Sequence, residues 1–242
     1  MTALNRLLIT FLCITFFSCE KNTNYNLSGT FINKTYLEQS KTALLSDIPF
    51  YAVELTFNKD SILFSNGFET GKLAYNKKGN QYLLKKAYQN NGIIKDLIIE
   101  ATSDSTFTLL DHDYTTRNSD SNFKKSKIAF ETALAQNLLE GQYEIHFPDS
   151  LKTRKVNFES NGVTNLPGYI QYSICYSGDC MQLVDDKINL ITLTNSHKTD
   201  FFGWKRGADN TLEFYTVSAP IPDIKGGQKI IEKAFVLKKV PK

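Results

Sequence analysis

Histidine and cysteine are scarce. The chain of 242 residues has 3 His and 4 Cys, little material for a metal site, which needs three or four converging ligands. Charge of one sign is missing too. There are 28 basic and 25 acidic residues, a formal net charge of +3. That balance excludes an acidic or basic disordered tail protein. It also excludes a nucleic-acid binder that works by neutralising phosphates. No Gly-x-Ser-x-Gly elbow is present, and no Gly-Lys-Ser/Thr follows Gly226 and Gly227 as in a phosphate loop. No cofactor and no metal are expected. The length admits one large domain or two small ones.

What is present begins with an address. Arg6 precedes an apolar run over residues 7–17, about eleven residues, the length of a signal-peptide core. A membrane span needs about 20. The run ends in Phe16, Phe17, Ser18 and Cys19. This resembles the lipobox of bacterial lipoproteins, with Phe16 where Leu is commonest. The resemblance implies that residues 1–18 are removed and that Cys19 is lipidated. Several acyl chains on one residue anchor stably, since each buried CH₂ contributes about 0.8 kcal/mol. An ordinary secretory signal cleaved near Ser18, or an uncleaved anchor, is the alternative. Glu20 follows Cys19, not the Asp of the family's usual inner-membrane retention signal, so the outer membrane is the expected destination.

Processing of this kind changes the use of cysteine. Cys13 leaves with the leader and Cys19 carries lipid, so Cys175 and Cys180 remain. In an oxidising compartment these two are expected to form a disulfide. Tyr176 to Asp179 fit a hairpin loop, with Gly178 supplying a positive φ. Cys-x₄-Cys is not the Cys-x-x-Cys redox spacing, and two thiols supply only two zinc ligands. The pair reads as a structural staple.

Four patterns recur in the same order at offsets of about 100 to 112 residues. Leu27, Gly29 and Phe31 are echoed by Leu139, Gly141 and Tyr143. Residues 53–57 are echoed by 155–159, 106–110 by 211–215, and Phe123 with its lysines by Phe235 with its lysines. This suggests a duplicated unit of roughly 100 residues. Leu55 and Phe57, Leu97 and Ile99, and Leu212 and Phe214 sit at the alternate positions of strands with one buried face. Gly/Asn turns such as Asn66-Gly67, Asn91-Gly92 and Asn161-Gly162 separate such strands. Thr35 and Glu38 form a capping-box pattern that predicts a helix to about Leu45. Phe130, Ala133, Leu134 and Leu138 recur at helical spacing and predict a second helix. The expected fold is mainly β: two tandem small antiparallel barrels or meanders, each with little helix. The expected parts are a signal peptide (1–18), a lipidated tether (19–26), a first β domain (27–127), a connecting helix (128–138) and a second β domain (139–242). One large sandwich or barrel over both halves is the alternative.

Gly29-Thr-Phe31 and Gly141-Gln-Tyr143 resemble the Gly-x-Trp that opens the first strand of lipocalins, with Phe or Tyr in place of Trp. The helix directly after the first strand also recurs in lipocalin-like bacterial lipoproteins. The resemblance covers both halves in outline. It implies lipocalin-like barrels, which classically hold a small apolar ligand. It carries over no ligand-contacting residue.

Catalytic chemistry is sparse. The histidines are His112, His146 and His197, and Asp111, His112 and Asp113 form the one local cluster of potential ligands. A solvated loop is the plain account of that cluster. Asp185 and Asp186 read as a hairpin turn. A Ser-His-Asp site assembled through space would make a hydrolase, the least favoured reading. The more informative group is aromatic: Tyr169, Tyr172, Phe201, Trp204 and Tyr215 are candidate contacts for a ligand or partner. Phe201 and Phe202 point to opposite faces of a strand. The competing account packs Trp204 in the core beside Phe214. Asp60-Ser61-Ile62 and Asp149-Ser150-Leu151 resemble the O-glycosylation signal of some exported bacterial proteins. The expected function is non-enzymatic binding of a small apolar ligand or an envelope protein by a membrane-anchored chain, without nucleic acid. A structural or assembly role is the alternative.

Overall fold

The computed structural model describes residues 24–110, 120–146, 153–184, 187–219 and 227–241. They form two antiparallel sheets. The first contains β1 (Gly29–Asn33), β2 (Glu54–Phe57), β3 (Ile62–Ser65), β4 (Thr70–Leu73), β5 (Tyr75–Lys78), β6 (Gln81–Asn90), β7 (Ile93–Ser103), β8 (Thr106–Leu110) and β9 (Ser121–Lys125). The second contains β10 (Gly141–His146), β11 (Thr153–Phe158), β12 (Gln171–Cys175), β13 (Asn189–Thr194), β14 (Thr199–Arg206), β15 (Thr211–Val217) and β16 (Ile230–Lys239). Two helices accompany them, α1 (Lys34–Gln39) and α2 (Phe130–Leu138). The chain is mainly β, as two tandem antiparallel meanders.

The strand orders are β4-β3-β2-β1-β9-β8-β7-β6-β5 and β11-β10-β16-β15-β14-β13-β12. In both, the first strand lies between the second and the last. The four echoed segments fall on β1 and β10, β2 and β11, β8 and β15, and β9 and β16, which are equivalent places. In the first sheet the edge strands β4 and β5 are separated only by Ala74, whose carbonyl accepts from Lys85 N at 2.9 Å. One stretch of chain therefore passes from partner β3 to partner β6, and the sheet nearly closes into a barrel. Closure removes the unpaired edges that would invite aggregation. The second sheet curls into a half-barrel. Bridges Phe158–Thr164 and Val163–Gln171 tie its edges.

Alternation fills the interior. Leu55 and Phe57 on β2 are buried while Glu54 and Thr56 are not. In the first barrel, Phe107 meets Phe31 at 5.1 Å, Phe57 at 5.6 Å and Phe123 at 4.8 Å between ring centres. In the second, Phe158 meets Tyr172 at 5.2 Å, Tyr143 at 5.7 Å and Phe214 at 6.0 Å. Such edge-on and offset contacts are favourable and space-filling.

The opening of each half has one geometry. Gly29 and Gly141 both have positive φ, +80° and +150°. Phe31 and Tyr143 are fully buried two residues later. A lysine from the last strand lies over each ring: Lys125 Nζ is 6.0 Å from the Phe31 centroid and Lys239 Nζ is 5.7 Å from that of Tyr143. The Lys239 stem comes so close that a Cβ on Gly141 would stand 2.9 Å from its Cε, whereas a Cβ on Gly29 would be 3.5 Å from Lys125 Cε, an ordinary contact. The stem covers the ring while the ammonium stays at the surface.

Helix α1 differs from the sequence expectation. The N-cap of α1 is Asn33, whose Oδ1 accepts from Tyr36 N at 2.9 Å. Thr35 Oγ1 instead accepts from Asn122 N, at 2.9 Å, and Glu38 pairs with Lys34. Asn33 wins because it is buried between β1 and the loop before β2, where its amide also donates to Ala52 O. The helix ends at Gln39, and a separate 3₁₀ turn, Leu45–Asp47, follows. Leu45 N is drawn away to Asn189 Oδ1 of the second half, at 2.9 Å. Helix α2 starts at Phe130 and buries Phe130, Leu134, Ala135 and Leu138 in the core shared with the second sheet.

Candidate functional site

The strand β14 carries two successive phenylalanines with opposite fates. Phe202 is 6% exposed and packs edge-on against Tyr169, with ring centres 5.8 Å apart. Phe201 is 37% exposed. Both line a groove of about 600 Å³ together with Tyr169, Lys198, Asp200 and Val217. Period two places Lys198, Asp200 and Phe202 on one side of the strand start. Tyr169 reaches them from the turn before β12.

The polar end of this groove is a fixed cluster. Tyr169 Oη donates to Asp200 Oδ2 at 2.6 Å, and Lys198 Nζ is also 2.6 Å from Asp200 Oδ2. The same ammonium lies 5.4 Å from the Tyr169 ring centre. Hydrogen bonds from Lys198 and then Tyr169 hold the Asp200 carboxyl below the ordinary carboxylate range. Burial, with the bond to Asp200 second, pushes the Tyr169 phenol up to about 12. At the far wall the buried Gln228 donates to Ser218 O at 2.6 Å.

Only Tyr169 and Phe201 of the five aromatic candidates meet here. Trp204 is buried in the core, 1% exposed, opposite Phe214 in the β14–β15 register, and its indole donates to Leu190 O at 3.2 Å. It packs in the core and does not line this groove. Tyr172 is buried beside a smaller cavity of about 130 Å³ with Glu131 and Tyr176, and its hydroxyl donates to Glu159 O at 2.6 Å. Tyr215 belongs to another cluster, where its hydroxyl donates to Glu213 and the ammonium groups of Lys205 and Lys233 flank its ring. Sequence reasoning missed Lys198, Asp200 and Gln228. The alternation on β14 carried a signal for the first two, but their partner Tyr169 is 31 residues from Asp200. No family model, curated protein or solved structure matches the chain.

Cys175 and Cys180 are bonded, with Cα atoms 6.0 Å apart. Their geometry corrects the expected tight hairpin. Cys180 lies in a 3₁₀ turn, Gly178–Gln182, and the chain returns to the sheet only at Asn189 on β13. The reason is tertiary: Tyr176 is buried against the first half, and the loop is shaped by that contact. Gly178 does have positive φ, +72°.

His197 is exposed in the β13–β14 turn. Ser61 is buried, 7% exposed, in the β2–β3 turn. Among the described residues no three His, Cys, Asp or Glu side chains converge, and no described helix is long and apolar enough to cross a membrane. Cys19, His112 with Asp111 and Asp113, Asp149 with Ser150, and Asp185 with Asp186 lie outside the described residues, as does the side chain of His146.

Proposed function

We propose that this chain is a lipid-anchored lipoprotein of the cell envelope that binds a ligand at the Tyr169–Phe201 groove without transforming it. The ligand class is a small molecule with an apolar body and a polar end. The observation that carries this reading is the partly exposed Phe201 beside the Tyr169–Asp200–Lys198 cluster. An apolar wall next to a few fixed polar groups is what small-molecule recognition needs. Aromatic rings occupy the interior of both sheets, which favours a surface groove over the interior of a lipocalin-like barrel. The Gly-x-aromatic opening of each half, with its aromatic buried, supports the lipocalin-like reading. At neutral pH the cluster holds a carboxylate, an ammonium and a phenol, each far from its titration point. That suits recognition better than proton transfer.

Titration calorimetry of the mature chain against amphipathic molecules extracted from the envelope tests the site. Phe201→Ala and Tyr169→Phe should each weaken binding about tenfold, and wild-type affinity in both variants overturns the groove. Anchoring has its own test. Cys19→Ala should move the protein from the membrane to the soluble fraction, and unchanged membrane association overturns the anchor. A structural or assembly role is favoured by one observation: Ile93 and Ile94, at 62% and 60% exposure, crown the β6–β7 hairpin. Crosslinking there in intact envelope should recover a protein partner if that role holds.

A further inference from the structure

A second groove, of about 530 Å³, lies between α1, the end of β9 and α2. Lys34 and Lys41 border it from the α1 side, and Lys124, Lys125 and Lys127 from the β9 side. Glu38 is the single carboxylate on its walls, 3.5 Å from Lys34. Five ammonium groups against one carboxylate leave four positive charges, more than the +3 of the whole chain. The groove is thus a local concentration of positive charge. All five lysines are exposed. The side chains of Lys41, Lys124 and Lys127 make no hydrogen bond or ion pair with a described residue. Like charges held on the walls of a concave surface repel one another and raise the local concentration of anions.

The groove also adjoins the point where the tether enters the fold. Lys125 Nζ is 3.4 Å from Ser28 Oγ, and Leu27 N is held by Tyr82 Oη at 2.9 Å. Seven residues lie between Cys19 and Leu27, and the eight steps of chain from one to the other span at most about 28 Å when extended. An acyl anchor on Cys19 would therefore hold this face near the bilayer.

We propose that the lysine groove binds the phosphate-bearing headgroups of anionic lipids in the membrane that carries the anchor. The location rests on the anchored reading above, whereas the chemistry rests on the lysines alone. Each lysine close to an anionic surface strengthens binding about fivefold. The attraction fades within about 8–10 Å at moderate salt.

The test uses residues 19–242 with Cys19→Ala, which has no acyl chains and keeps every described residue. Co-sedimentation is measured with vesicles of phosphatidylcholine, alone or mixed with phosphatidylglycerol. Binding to the mixed vesicles is expected, falling as salt rises. The combined Lys41→Gln, Lys124→Gln and Lys127→Gln variant should lose on the order of a hundredfold in partition. A control with Lys72→Gln, Lys155→Gln and Lys187→Gln removes equal charge elsewhere and should lose far less. Equal melting midpoints show that both variants are folded. Equal binding to both kinds of vesicle overturns the proposal, and so does an equal loss in the two variants. Inorganic phosphate that strips the chain from vesicles at constant ionic strength identifies a free anion as the occupant and overturns the lipid assignment. Anchor failure is read separately, from the cellular fractionation of Cys19→Ala.

Discussion

The Tyr36 hydroxyl of α1 donates to the Tyr176 carbonyl in the second half at 3.3 Å, and the two rings meet edge-on with centres 6.4 Å apart. Tyr36 also reaches Leu45 O at 3.3 Å, and Tyr176 Oη donates to Glu131 Oε1 on α2 at 3.1 Å. The two tyrosines thus join α1, the 3₁₀ turn, α2 and the loop after β12. Gly67 of the β3–β4 turn packs so closely on the Tyr176 ring that no Cβ fits there.

Removing the Tyr36 hydroxyl leaves the ring in place but takes away the one O–H that the Leu45 and Tyr176 carbonyls share. Tyr36→Phe should cost about 1 kcal/mol in urea unfolding. Tyr36→Ala also opens a cavity in the shared core and should cost about 3–5 kcal/mol. Wild-type stability in Tyr36→Ala would mean that this contact does not hold the halves together.

Arg206 at the end of β14 spans the same junction. Its guanidinium donates to Lys41 O at 3.1 Å and to Asn137 O at 3.0 Å, and so covers free carbonyls past α1 and at the end of α2. Arg206→Ala should cost about 1 kcal/mol and speed amide exchange in α2. Lysine has no planar fork and cannot serve both carbonyls in this geometry. Arg206→Lys should therefore restore less than half of the loss.

Opening the disulfide frees a short loop. Replacing Cys175 and Cys180 with Ser should cost about 2 kcal/mol by loop entropy. Because Tyr176 lies inside that loop, exchange protection should also fall in α1, across the junction. A loss confined to β12 and β13 would show that the staple acts only within its own sheet.

Alkali should unfold the protein steeply. Burial pushes Tyr143 up to about 12, burial and then Asp200 push Tyr169 up to about 12, and burial raises Tyr36, Tyr172 and Tyr176 as well. Above about pH 10 the unfolded chain releases these protons while the folded chain keeps them. The unfolded state then binds fewer protons, so stability falls as pH rises from about 10 through 12. Ultraviolet titration should show delayed phenolate formation that ends in a cooperative step. Free ionisation of all tyrosines near pH 10 without unfolding would contradict this.

Much of the architecture is legible from local pattern. Alternation at Leu55–Phe57 and Leu97–Ile99 depends only on the two-residue period of a strand. Glycines at turns depend only on backbone sterics. The repeated Leu-x-Gly-x-aromatic was enough to mark β1 and β10 as equivalent openings. These are short-range properties, so the chain carries them openly.

What the tertiary structure decided depends on residues far apart. Asn33 replaced Thr35 as the cap because Ala52 lies beside it. The Cys175–Cys180 loop became a 3₁₀ turn because Tyr36 and Gly67 press on Tyr176. Tyr169 and Phe201 were brought to one groove, and Trp204 was taken into the core, by the register of β13, β14 and β15. The lysines of α1 and β9 face one another only because β9 closes back onto β1. Each outcome depends on sheet closure and on the packing of one half against the other. A local pattern of residue types does not contain either.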